Sequence, residues 1–223
     1  MNLQDCQIYD ISPLLSSQIA VFPGDTPFQL KSVLDLNSGD NLTLSSLATT
    51  VHLGAHADAP SHYLAKGKGI SDSPLNVYLG PVQVIRVQTA RGQRVSMGDL
   101  NGASIVCPRV LFRTDSFPDP NHWNGDFVAL APELIDYLAE QKVILVGLDT
   151  PSVDLADDRI LLAHQKIGAH RMAILEGLEL SQIEPGLYNL VALPLKIQNC
   201  DASPVRAILI RPSQHKDRSD AAT

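Results

Sequence analysis

Short apolar runs, rich in Val, Ile and Leu, recur along the chain between positions held by Gly, Pro and Asp. Runs of this length that end at turn-forming residues predict buried β-strands rather than helices. The pattern predicts strands over residues 82–87, 105–112, 143–148, 172–175, 188–195 and 205–210. A sheet is therefore the main element of the predicted fold.

Helical periodicity is rarer than strand patterning in this chain. It predicts one helix over residues 131–141, where Pro132 suits the first turn, and a second over residues 158–166 that ends near Gly168. Because one core can serve a chain of this size, we predict a single strand-rich α/β domain over residues 1–211. Residues 212–223 are polar and small, and we predict a disordered tail there.

Composition and charge restrict the classes of partner. The 223 residues are 44% hydrophobic and carry a formal net charge of −7, with no cluster of Lys or Arg. Nucleic acids and anionic membranes attract concentrated positive charge, so we expect neither as a partner and expect a small-molecule substrate. The N-terminal residues have no basic or apolar targeting pattern, and no apolar run approaches the roughly 18 residues of a membrane span. These features predict a cytoplasmic protein.

Three histidines and an aspartate lie within eleven positions in the segment H-L-G-A-H-A-D-A-P-S-H, residues 52–62. Side chains at even spacing share one side of an extended chain, so His52, His56 and Asp58 can converge if Gly54 lets the backbone bend. Imidazole nitrogens and a carboxylate oxygen are ligands for zinc, manganese or iron. The cluster predicts a metal site; the alternative is a polar loop whose histidines only form hydrogen bonds.

His62 completes the same segment but lies beyond Pro60. It could be a further metal ligand. It could instead transfer protons beside the metal, because imidazole titrates nearest to neutral pH. The residues alone leave both roles open.

A second group of polar residues occupies residues 163–178, where His164 and His170 precede an apolar strand that contains Glu176. Burial of a carboxylate among apolar side chains is costly unless a cation or strong donors compensate. Glu176 is therefore a candidate metal ligand with His164, unless it faces solvent on a half-buried strand. His170 is expected to have a structural or supporting role.

Five candidate ligands are too many for one catalytic metal that keeps a position open for water. The set divides evenly if Asp58 bridges two metals. One metal then binds His52, His56 and Asp58, and the other binds Asp58, His164 and Glu176. Two neighbouring divalent cations are a common hydrolytic arrangement.

The segment of residues 52–62 resembles the His-x-Gly-Thr/Ala-His-x-Asp-x-Pro-x-His motif of the metal-dependent cyclase family. Other stretches resemble the bacterial kynurenine formamidase branch of that family: Y-D-I-S-P (9–13), F-P-G-D-T-P-F (22–28), G-L-D-T-P-S-V-D (147–154), H-R-M-A-I-L-E-G (170–177), L-P-L-K-I (193–197) and D-A-S-P-V-R-A (201–207). Together these stretches cover most of the chain.

The resemblance implies a swivelling β/β/α-type cyclase fold, a homodimer, zinc as the usual metal, and hydrolysis of N-formyl-L-kynurenine to kynurenine and formate in tryptophan catabolism. The family's metal ligands match His52, His56, Asp58, His164 and Glu176, and its proton-transferring histidine matches His62. Its ring-contacting Trp position holds Phe22 here. Phe keeps an aromatic face but loses area and an N–H group, which affects substrate affinity more than reaction type.

Two other functions use the same ligands. A relative in the family could hydrolyse a cyclic amide such as isatin. A non-catalytic metal- or ligand-binding protein could keep the metal ligands without turnover, although His62 beside the site argues against it. No Gly-x-Ser-x-Gly motif occurs, so a serine-hydrolase route to the same reaction is not expected.

Overall fold

A computed structural model describes residues 5–212 of the chain. Nine strands form one sheet: β1 (Cys6–Asp10), β4 (His56–Asp58), β5 (Leu79–Arg86), β7 (Arg109–Arg113), β9 (Leu145–Leu148), β10 (Ala173–Glu176), β11 (Gly186–Val191), β12 (Ala202–Pro204) and β13 (Ile208–Pro212). Two small sheets complete the set, one from β2 (Gln29–Leu34) and β3 (Leu44–Ala48), the other from β6 (Arg94–Val95) and β8 (Ala129–Leu130).

The large sheet is mixed, with the order β1-β13-β11-β5-β7-β9-β10-β4-β12. Strands β5, β7, β9 and β10 are parallel, and antiparallel pairs extend the sheet on both sides. Apolar clusters fill both faces. The predicted single strand-rich α/β domain is confirmed, and each strand predicted from the sequence overlaps a strand of this sheet.

Two α-helices pack on one face of the sheet, α1 (Pro132–Glu140) and α2 (Leu162–Ala169). Helix α1 begins at Pro132 as predicted, because proline needs no hydrogen bond from its nitrogen in the first turn. Helix α2 begins at Leu162 rather than near Asp158. The Asp158 carboxylate accepts hydrogen bonds from the Ile160 and Leu161 backbone N–H groups, and Leu161 is left-handed (φ 57°), which delays the helix.

Two short strands near the candidate site were not among the strands predicted from apolar runs. Strands β4 and β12 have three residues each, too few for a periodic pattern, and both depend on pairing: β4 lies between β10 and β12. Among residues 5–212, no helix has the length and apolar character needed to cross a membrane. Strand β13 ends at Pro212, and the rest of the expected tail lies outside the described residues.

Candidate metal centre

Strand pairing places three of the five candidate ligands together. His56 and Asp58 alternate with Ala57 on β4, so both side chains project from one face. Glu176 ends β10 and is the antiparallel register partner of His56. Directly opposed residues share a face and lie within side-chain contact, which explains why His56 Nε2 is 3.2 Å from Glu176 Oε2.

A left-handed glycine brings His52 back towards β4. Gly54 has φ +53°, which other residues rarely adopt, and a Cβ there would lie 2.8 Å from Leu15 Cδ2. His52 Nδ1 consequently lies 3.0 Å from Asp58 Oδ1. The expected bend at Gly54 is present. The same residue orients His56, whose Nδ1 donates to the Gly54 carbonyl oxygen at 2.9 Å.

The N-terminal end of α2 positions His164 through a buried carboxylate, that of Asp154. Asp154 accepts hydrogen bonds from the backbone N–H groups of Ala163 and His164 and from His164 Nδ1 at 2.8 Å. Arg94 donates to its other face at 2.7 Å. Asp154 is 0% exposed and His164 2% exposed. With Nδ1 held in this way, His164 Nε2 is directed towards Asp58 Oδ2, 3.4 Å away.

Four buried polar atoms meet in this cluster without a hydrogen-bond partner among residues 5–212: His56 Nε2, His164 Nε2 and both carboxylate oxygens of Asp58. Buried polar atoms are nearly always satisfied, so a convergent set of orphans indicates a missing binding partner. Two nitrogen lone pairs beside a carboxylate form a donor set that a divalent cation such as zinc would satisfy. The residues present therefore fit a metal.

The charges of the cluster also match a cation site. Burial acts against protonated imidazole, yet the carboxylates of Asp58 and Asp201 raise the pKa of His52 to about 9. Burial also acts against protonation of His164, but the carboxylates of Asp154 and Asp58 raise its pKa to about 10. Against the effect of burial, His164 and His52 hold the pKa of the Asp58 carboxyl well below its usual range. The cluster thus attracts positive charge, which protons supply when metal is absent.

His62 folds back over the cluster despite Pro60. It ends a 3₁₀ turn at Pro60–His62, and its ring centroid lies 4.1 Å from that of His52 and 5.7 Å from that of His164. His62 Nδ1 is 3.5 Å from Asp201 Oδ2, which also lies 3.0 Å from His52 Nε2. Burial lowers the pKa of His62. The geometry therefore brings His62 to the centre while leaving it partly exposed.

Asp58 belongs to two groups of residues whose possible ligand atoms lie close together. His52, His56 and Asp58 form one group with all ligand atoms within 4.8 Å, as the sequence predicts. Asp58, His62 and His164 form another, so His62 lies where the ligand prediction places Glu176. Glu176 Oε1 is 3.6 Å from His164 Nε2 and accepts from the Val153 N–H at 2.7 Å.

Two open alternatives from the sequence are resolved by burial and contacts. Glu176 is 3% exposed, so it does not face solvent. His170 lies away from the cluster and contacts Asp136 of α1 through Nε2 at 2.7 Å, which is a structural role.

Sequence reasoning missed Asp154 and Asp201 as functional residues. Both belong to stretches that resemble the family, but nothing in their spacing indicates that they hold histidines. Asp154 lies ten residues before His164, and Asp201 lies 149 residues after His52. Only the fold brings these carboxylates and histidines into contact.

A cavity of about 650 Å³ opens onto the cluster, within the usual range for small-molecule sites. Phe22 lines it at the start of a turn, where the Asp25 N–H donates to the Phe22 carbonyl oxygen at 2.9 Å. Pro23 and the left-handed Gly24 (φ +101°) are the residues that a type II turn favours at its centre. Phe22, predicted as a substrate-binding residue, thus lines the same cavity as His52, His56 and His164.

Known proteins share this architecture. A family model described as "Putative cyclase" matches residues 9–155. A structure described as a "predicted metal-dependent hydrolase" from Bacillus stearothermophilus is 25% identical, with a TM-score of 0.78, and the match covers 92% of this chain and 98% of the other. Isatin hydrolase A from Labrenzia aggregata is 22% identical, with a TM-score of 0.80 and coverage of 94% and 95%. An isatin hydrolase bound to the product analogue thioisatinate is 20% identical, with a TM-score of 0.80 and coverage of 94% of each chain.

The fold and the cluster together define an α/β domain that carries a candidate metal centre. More particularly, the family match spans well over half of the sequence, and the chain belongs to the Cyclase family.

Proposed function

We propose that this protein is a metal-dependent hydrolase that cleaves the formamide of N-formyl-L-kynurenine, using two divalent cations, most simply Zn²⁺. The observation that carries the proposal is the set of buried atoms on His56, Asp58 and His164 that have no hydrogen-bond partner among residues 5–212, in a cluster whose His56 and His164 line the cavity. The resemblance of the histidine segment to metal-dependent formamidases supplies the substrate.

In this proposal one cation is held by His52, His56 and Asp58, and the other by Asp58, His164 and Glu176. Glu176 is preferred to His62 as the fifth ligand because it is buried, and a buried carboxylate needs a cation more than a partly exposed imidazole does. Bound divalent cations supply a hydroxide nucleophile near neutral pH and stabilise negative charge on a carbonyl oxygen.

His62 supplies the proton transfer. Because burial lowers its pKa, the imidazole is neutral at physiological pH and can accept the proton of the attacking water. It then donates that proton to the aryl nitrogen as the C–N bond breaks, which releases the amine and formic acid, and the acid ionises to formate in solution. Asp201 faces Nδ1 and so directs Nε2 away from itself. Asp154 and the Gly54 carbonyl oxygen hold His164 and His56 with Nε2 towards the centre.

A substrate panel tests this function. Purified zinc-loaded protein should release formate from N-formyl-L-kynurenine, and chelation should abolish the release. Activity on isatin with none on N-formyl-L-kynurenine would replace the proposal by a cyclic-amide hydrolase, the second candidate, which the isatin hydrolase structures of the same fold favour. Metal binding without turnover of either compound would indicate a binding protein.

A further inference from the structure

An aromatic cluster forms the outer wall of the cavity, and Trp123 is its centre. The Trp123 ring contacts Phe22, Phe117 and Phe127 at centroid distances of 5.0, 5.9 and 5.8 Å, all in edge-to-face arrangement. Such arrangements are favoured between aromatic rings. Phe127 is fully buried, so the cluster is anchored in the core, while Phe22, Phe117 and Trp123 line the cavity.

Hydrogen bonds hold the two loops that carry these rings. The Ala20 N–H donates to the Pro120 carbonyl oxygen at 2.9 Å, which joins the Phe22 loop to the Trp123 loop. Asn124, the next residue, donates from its side chain to the Ser116 carbonyl oxygen at 3.2 Å. Trp123 is therefore fixed before any ligand enters, and a pre-ordered wall binds a ring at lower entropic cost.

Trp123 also supplies aromatic surface that Phe22 lacks. Phe22 is 39% exposed and offers a smaller surface than the Trp expected at its position from the family resemblance. The indole of Trp123 stands against Phe22 and extends the same wall. A flat aromatic ligand that reaches the metal centre through this cavity has this wall on its path.

We propose that Trp123 is the specificity-determining residue that binds the aromatic ring of the substrate, with Phe22 as its support. This inference rests on the proposed function for the identity of the substrate. It predicts that the wall recognises the aryl ring of an aryl formamide and contributes little to binding of the formyl group itself.

Kinetics with matched substrates test the assignment. Trp123→Ala should raise KM for N-formyl-L-kynurenine about 10-fold to 100-fold, the size expected when large apolar contact is lost. For N-methylformamide, which has no ring, the change should be at least tenfold smaller. Trp123→Phe should recover part of the loss, and it guards against a Trp123→Ala protein that does not fold. His122→Ala, at an exposed neighbour in the same loop, is the matched control and should leave KM for both substrates unchanged.

The chain contains one tryptophan, so its emission reports on this wall alone. Titration of wild-type protein with formanilide should change the emission with saturation, and with N-methylformamide it should not. Unchanged emission at saturating formanilide, or equal losses for both formamides in Trp123→Ala, would overturn the assignment. If wild-type protein fails to hydrolyse N-formyl-L-kynurenine, the proposed function fails, while the emission titration still decides whether the wall binds a ring.

Discussion

Asp154 holds a candidate metal ligand without being one itself. Its carboxylate fixes the Nδ1–H of His164 and is fixed in turn by Arg94, deep in the domain. Partners of this kind set the tautomer and direction of a metal-binding histidine, and their loss commonly weakens metal affinity 10-fold to 100-fold.

Asp154→Asn should therefore lower the affinity for one metal per chain by about 10-fold to 100-fold while the other remains bound. The measurement is a zinc titration against a competing chelator, followed by elemental analysis. Asp157→Asn, the same substitution at an exposed residue three positions away, serves as the control and should bind zinc normally. Unchanged binding of both metals in Asp154→Asn would show that the Asp154 carboxylate does not strengthen metal binding through His164.

His62 lies where it could either bind a metal or transfer protons. As the proton-transfer residue, His62→Ala should fold, keep its full metal content and lose about 100-fold to 10,000-fold in kcat, the range typical of a lost general acid or base. His170→Ala, a histidine that contacts Asp136, is the control and should keep both metal and activity. If His62→Ala is isolated with one metal fewer per chain, His62 is a ligand.

The sequence predicts which residues form this site better than it predicts which residues they contact. His52, His56 and Asp58 stand close in sequence and share parity, so elementary strand geometry was enough to predict their meeting. His164 and Glu176 could be selected by chemistry but not placed. The supporting carboxylates Asp154 and Asp201 leave no local pattern, because their partners come from other parts of the chain.

Among the secondary-structure elements, β4 is the one on which the site depends. It has three residues, lies between two neighbours, and is entered through the left-handed Gly54. Its existence could not be predicted from periodicity, because pairing with β10 and β12 creates it. The longer buried strands and α1 could be predicted, because their apolar runs and Pro132 act locally.

Gly54→Ala should destabilise the protein and disturb His52 and His56 together. A non-glycine residue in the left-handed region costs about 1–2 kcal/mol, and contact of the new Cβ with Leu15 adds about 1–3 kcal/mol. Gly92→Ala is the matched control, since Gly92 is left-handed (φ +71°) with nothing within 4 Å of the added Cβ. Urea unfolding should show the larger loss for Gly54→Ala; equal losses would mean that crowding at Gly54 is unimportant.

The whole molecule brings three ligand-bearing segments to one place: β4 with the loop before it, the end of β10 and the beginning of α2. The carboxylates of these segments raise the pKa values of His52 and His164, so metal binding competes with protonation of the two histidines. The expected homodimer stays a prediction, as does the cytoplasmic location.

Zinc binding at pH 7.5 should release at least about two protons per chain, because the pKa of His56 is raised as well as those of His52 and His164. His52 and His164, with pKa values raised to about 9 and about 10, are protonated at that pH in the metal-free protein and must lose the proton to bind metal. A raised pKa means that the proton is held more tightly, so apparent zinc affinity should increase as pH rises towards 9–10 and weaken as pH falls. Calorimetry in buffers of different ionisation enthalpy measures the protons; binding enthalpies that do not depend on the buffer would contradict the assignment.

A metal titration distinguishes the proposed two-metal formamidase centred on Asp58 from a one-metal site. Metal-free protein is titrated with zinc while bound metal and formate release from N-formyl-L-kynurenine are measured on the same samples. We expect tight binding that saturates at about two zinc ions per chain, activity that requires the second ion, and loss of both ions in Asp58→Ala. Saturation at one zinc ion per chain with full formate release, or an Asp58→Ala protein that keeps one ion with unchanged affinity, would contradict the two-metal proposal.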